Sequence, residues 1–84
     1  MSTKIFEKIF NPKVIAVIGA SNKIGSVGNS VMRNIIGAGF EGIVYPINPK
    51  RDSIIGIKTY KSVEDVPDKI DLAIITTPAR LFQI

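Results

Sequence analysis

The residues able to do chemistry in this 84-residue chain gather in three short polar stretches: Gly19 to Gly28, Asn48 to Arg51, and Thr76 to Ala79. The first, Gly19-Ala20-Ser21-Asn22-Lys23-Ile24-Gly25-Ser26-Val27-Gly28, follows five apolar residues and leads into a helical apolar pattern. Strand, glycine turn and helix start in that order make an anion site. The helix start has free backbone N–H groups and the positive end of the macrodipole, and glycines let a phosphate approach the backbone closely. The same glycines would also serve a tight structural connection, and Ser21 can meet a phosphate or satisfy the turn's own backbone. The spacing Gly-x5-Gly-x2-Gly is longer than the Gly-x-Gly-x-x-Gly of ordinary dinucleotide loops. Ser26 follows Gly25 where a nucleotide-hydrolysing P-loop needs lysine, so neither motif is matched.

The second stretch separates the candidate ligands. A site for NAD places Asp or Glu at the end of the second strand to hold the ribose diol, and this chain has Asn48-Pro49-Lys50-Arg51 there. Two cations suit an additional phosphate on the ribose, as in NADP or coenzyme A; they suit an ordinary solvated turn as well. In the third stretch, Thr76-Thr77-Pro78-Ala79 offers hydroxyls and backbone groups to a ligand, or forms a plain strand-to-helix turn. The chain has no cysteine and no histidine, which removes thiolates, disulfides, the usual general base and the commonest metal ligands. What remains is equipment for binding. The formal charge of +4 suits an anionic partner, and it also suits mere solubility. Tyr45 and Tyr60 read as core, because no basic, aromatic-interleaved face accompanies them for nucleic acid.

Elements must hold these loops in place. Ile5, Phe6, Ile9 and Phe10 fit one face of a short helix ended by Asn11-Pro12. Val14 to Ile18 is an unbroken apolar strand of the kind buried on both faces of a parallel sheet. Val27, Val31, Ile35 and Ile36 give the apolar face of a helix from Ser26 to Ile36, with Asn29, Arg33 and Asn34 pointing elsewhere, and Gly37-Ala38-Gly39 stops it. Ile43 to Ile47 is a second strand, with Pro46 expected at a strand end or bulge because it lacks an N–H. Ile54 to Tyr60 holds a short turn and a short third strand. Ser62 to Pro67 reads as a one- or two-turn helix with Ser62 as N-cap, and Asp71 to Thr76 as the last strand. Pro78 would open a further helix.

This alternation predicts an α/β fold, half of a doubly wound, mostly parallel sheet with helices on both faces. No apolar run approaches the ~20 residues of a membrane span, and the start lacks the pattern of a signal peptide. A chain of this size buries a modest fraction of its surface. It is expected to stop within an element, as part of a longer cytoplasmic protein, or to pair with another copy through an exposed edge.

Four segments carry a resemblance: Asn11 to Ser21, Gly25 to Gly28, Val44 to Lys50, and Asp71 to Ala79. In order and spacing they resemble the N-terminal CoA-binding domain of the NDP-forming acyl-CoA synthetases, which include the ADP-forming acetate–CoA ligases and the succinyl-CoA synthetase alpha subunit. The resemblance implies a Rossmann-like domain over residues 1–84, incomplete at its C-terminus, that binds CoA or acyl-CoA. It implies that Gly19, Ala20, Ser21, Asn22, Lys23, Ile24, Gly25, Ser26 and Gly28 form the phosphate loop, with residues 21–24 contacting CoA. It places Asn48, Pro49 and Lys50 opposite that loop, with Arg51 a rival for the phosphate-binding lysine, and Thr77, Pro78 and Ala79 along the same cleft. The remaining domains or a beta subunit of the ligase would supply the chemistry through a phosphohistidine, with no part for nucleic acid or membrane. Two other classes carry the same features: a CoA-sensing domain of a protein acetyltransferase fusion, and an NADP-binding domain of an oxidoreductase.

Overall fold

The computed structural model describes residues 11–76. The expected helix over Ile5 to Phe10 lies outside them, as does the turn Thr77-Pro78-Ala79. Strand β1 (Val14–Ile18) runs between two parallel neighbours, β2 (Ile43–Ile47) on one side and β5 (Leu72–Ile75) on the other. Its apolar run is accounted for by this central place: Ile15, Ala16 and Val17 are buried. Helix α1 (Val27–Gly37) makes the crossover from β1 to β2 that a parallel pair requires.

The helix packs on the sheet through Met32, which is fully buried in one core cluster with Ile15 and Val17 of β1; Val31 and Ile35 of the helix and Leu72 and Ile74 of β5 pack against that cluster. Its buried residues are Gly28, Asn29 and Met32; of the expected apolar face, Val31 and Ile35 pack against the core while Val27 and Ile36 are exposed. Val27 is 64% exposed, and Asn29, expected to point away, is 2% exposed. The cause is Gly28. A Cβ there would overlap the carbonyl oxygen of Gly19, so the helix turns its glycine, not Val27, against the end of β1.

Pro46 is neither at a strand end nor in a bulge. It lies within β2 in register with Val17. Ile43 donates its N–H to Lys13 and Ile47 accepts from Gly19, so alternate residues face β1 and the nitrogen of Pro46 faces the outer edge, where no ladder bond is lost. On that edge the Pro46 carbonyl accepts the N–H of Tyr60 and the Tyr60 carbonyl accepts that of Asn48.

The short third strand is in fact a hairpin, β3 (Ser53–Ile54) and β4 (Ile57–Lys58), separate from the parallel sheet. Both central residues of its turn have positive φ, Ile55 at 51° and Gly56 at 75°, the twist that suits a two-residue hairpin. Ile54 anchors it, fully buried in the core. The short helix after it is a single 3-10 turn, Val63–Asp65. Ser62 does not cap this turn through its side chain; its hydroxyl donates instead to the Asp65 carboxylate. At the N-terminal end of the sheet, Asp71 Oδ2 accepts the N–H groups of Lys13 and Val14 at 3.0 and 3.1 Å, and the Asp71 N–H returns to the Val14 carbonyl.

Candidate functional site

The chain places β2 on one side of β1 and then crosses over to lay β5 on the other. The order reverses at β1, and in open parallel sheets ligands bind at the carboxyl ends of the strands beside such a reversal. Three segments meet there. Ile18 is in register with Ile47 and with Ile75, so Gly19, Asn48 and Thr76 leave the sheet side by side. Gly19 has φ 89° and donates its N–H to Ile47, and Thr76 directs both its N–H and its hydroxyl to the Ile18 carbonyl. Thr77, Pro78 and Ala79, expected to continue this edge, lie outside the described residues.

From Gly19 the loop passes buried Ala20 and becomes exposed over residues 22–25. The Ser21 hydroxyl accepts the N–H of Lys23, and the Lys23 carbonyl accepts both the N–H and the hydroxyl of Ser26. Ser21 thus satisfies the turn and keeps its own O–H to donate. Gly25 has φ 93°, and a Cβ on it would meet nothing within 4 Å; its glycine is demanded by backbone conformation, and the space over it is open. Ser26 caps α1 by accepting the N–H of Asn29, and its carbonyl takes that of Ser30. Among the described residues, no acceptor meets the N–H groups of Val27 and Gly28, the orphan donors of a helix start.

The loop is held by three asparagine side chains from three directions. Asn48 Nδ2 donates to the Ala20 carbonyl at 2.8 Å while its Oδ1 accepts the N–H of Lys50 at 2.8 Å. Asn29 Nδ2 donates to the Ser21 carbonyl at 3.0 Å, and its Oδ1 accepts from Arg33 Nε at 2.9 Å. Asn22 Nδ2 donates to the Ser53 carbonyl and its Oδ1 accepts the N–H of Ile55. The structure therefore brings the Gly19 to Gly28 loop and the Asn48-Pro49-Lys50 loop together through Asn48, with Lys50 and Arg51 exposed beside them. Asn29, Arg33 and the hairpin were not singled out from sequence. Apolar periodicity carries no signal for Asn29: its burial follows from the turn of the helix that Gly28 imposes against the β1 end.

Several features lie away from this edge. The Tyr45 hydroxyl donates to the Asp68 carboxylate, and this bond, with desolvation and the Asp68 charge, pushes the phenol up to about 12. Its ring meets Tyr60 edge-on, and Lys58 Nζ stands over the Tyr60 ring. A hollow of about 420 Å³ between residues 11–13 and 39–42 lies at the opposite end of the sheet from the loops, where parallel sheets do not present ligand sites. Among the described residues there is no cluster of metal-binding side chains, and no helix is long and apolar enough to cross a membrane.

Residues 13–83 match the family model described as a CoA binding domain. The chain is 51% identical over 75 residues to acetate–CoA ligase [ADP-forming] I of Archaeoglobus fulgidus, covering 89% of the chain and 11% of that protein. It is 60% identical over 67 residues to 4-hydroxybutyrate–CoA ligase [ADP-forming] of Nitrosopumilus maritimus, covering 80% of the chain and 10% of that protein. Among solved structures, the dinucleotide-forming acetyl-coenzyme A synthetase 1 of Ca. Korarchaeum cryptofilum, in complex with phosphate and ADP, superposes with a TM-score of 0.87 at 47% identity. That match covers 92% of the chain and 17% of the synthetase chain. The chain thus spans only a small part of the length of these relatives.

Proposed function

The chain belongs to the CoA-binding domain family, and from that premise we propose that it is the CoA-binding portion of an ADP-forming acyl-CoA synthetase of the acetate–CoA ligase type. The similar proteins of Archaeoglobus fulgidus and Nitrosopumilus maritimus are ADP-forming CoA ligases. The residues fit the ligand. CoA carries a pyrophosphate, a ribose 3′-phosphate and a thiol that takes the acyl group. For the pyrophosphate the chain offers the free N–H groups of Val27 and Gly28, the exposed loop over residues 22–25 with the side chain of Lys23, the hydroxyl of Ser21 and the open space over Gly25. Ser26 fixes the helix start that aims those donors. For the ribose phosphate it offers Lys50, with Arg51 next to it.

The observation that carries the reading is the engagement of Asn48. Its amide bonds the Ala20 carbonyl and the Lys50 N–H, so the end of β2, which carries no carboxylate to clamp a ribose diol, is tied to the phosphate loop and presents a cationic turn beside it. These residues bind and orient; the activation of an acid and the transfer to CoA belong to the remaining domains or a beta subunit of a cytoplasmic ligase. The outer edge of β5, unpaired among the described residues, is the place for the rest of the sheet or for a second copy.

Titration calorimetry of the intact protein with CoA, dephospho-CoA and NADP tests the reading. CoA is expected to bind more tightly than dephospho-CoA. Binding of NADP with none of CoA would overturn it.

A further inference from the structure

Asn22 is the one loop side chain whose amide is spent away from the loop. Its Nδ2 donates to the Ser53 carbonyl at 3.1 Å and its Oδ1 accepts the Ile55 N–H at 2.8 Å. A donor and an acceptor on one planar amide meet alternate residues of β3 and its turn, as a neighbouring strand would. The hairpin so gripped is anchored by Ile54, buried in the core, while Ile55 has φ 51°, an uncommon conformation for a β-branched residue. The hairpin is therefore firm on its core side and held on its loop side by Asn22. Two residues before Asn22, the Ala20 carbonyl is fixed by Asn48, and between them the Ser21 carbonyl is fixed by Asn29.

We propose that Asn22 is a positioning residue for the phosphate loop, docking residues 21–25 on the β3–β4 hairpin so that CoA affinity depends on the hairpin turn. This rests on the CoA reading given above and goes beyond a simple contact between Asn22 and the ligand. The two bonds fix the plane of the amide against the hairpin, and a direct ligand contact would have only its second N–H and second lone pair to use. A docking role needs no rearrangement: the loop's backbone N–H groups are set before the phosphates arrive, which removes an ordering cost from binding.

Two variants of the intact protein separate the roles. Asn22→Ala removes both bonds, and about tenfold weaker CoA binding is expected, with faster hydrogen exchange at the Ile55 amide. Gly56→Ala acts from the hairpin alone: the new Cβ meets nothing within 4 Å, but the residue must hold φ 75°, which L side chains resist. It is expected to weaken CoA in the same direction and to speed exchange at Ile55, and the double variant is expected to lose less than the two single losses combined. Weaker CoA binding in Asn22→Ala, with Ile55 exchange unchanged and Gly56→Ala binding as wild type, would make Asn22 a ligand contact and overturn the proposal. Undiminished affinity in both variants would overturn it too. Failure of the wild-type protein to bind CoA would instead sink the reading beneath it.

Discussion

Lys50 stands in a turn whose backbone is fixed by Asn48 while its own side chain is exposed. A cation so placed can follow a phosphate without dragging the turn along. Lys50→Ala is expected to weaken CoA about tenfold and dephospho-CoA much less, measured by titration calorimetry. Equal weakening would assign the lysine to the pyrophosphate, and retained affinity for both would favour Arg51 or an ordinary solvated turn. Tyr45 makes a different kind of prediction. Its phenol is held up to about 12, chiefly by the hydrogen bond to Asp68, against an ordinary value near 10 in the unfolded chain. The neutral form is thus favoured by the fold. Its contribution is full below pH ~10 and is lost as the pH rises toward ~12. Denaturant unfolding across that window should show stability falling, and Tyr45→Phe should flatten the fall.

At the scale of elements, the contact between the start of α1 and the end of β1 fixes the site more than any single ligand group. Gly28 sits where any Cβ would run into the Gly19 carbonyl, and neither partner is a flexible side chain that can move aside. Gly28→Ala is expected to cost about 2 kcal/mol, read as a lower urea midpoint, and to weaken CoA by shifting the donors of Val27 and Gly28. The strand–loop–helix order was legible in the sequence because strand burial, glycine spacing and the N-cap all leave local marks. The helix's rotation was not, because apolar periodicity counts Val27 as buried and has no means of registering a backbone contact with Gly19. The same limit hid Asn29, whose burial is decided by that rotation, and the hairpin. Ile54-Ile55-Gly56-Ile57 reads as one apolar run with a turn, and it is Ile55 joining Gly56 at positive φ that folds it back on itself. Pro46 was misplaced for a related reason: its tolerance depends on which strand edge its nitrogen faces, a property of pairing and not of the residue.

For the molecule as a whole, the loops face one end of the sheet and the formal charge is +4. CoA is polyanionic, so part of its attraction is long-ranged and open to screening. The Debye length falls from ~10 Å at 0.1 M salt to ~3 Å at 1 M. CoA affinity is expected to fall across that range, with a shallower slope in Lys50→Ala; calorimetry at several salt concentrations would measure both. The Asp71 carboxylate sits at the far end of the sheet from the loops, on the N–H groups of Lys13 and Val14. Parallel strands have no hairpin turn to fix their alignment, and a one-residue slide of β5 would rebuild a similar ladder with Ala73 and Ile75 turned toward α1. Such a slide would carry Thr76 about 3.3 Å along the strand direction, away from the Ile18 carbonyl and from its place beside Gly19. Asp71 acts as a locating pin: the alignment of the rim formed by Gly19, Asn48 and Thr76 is decided at the opposite end of the sheet.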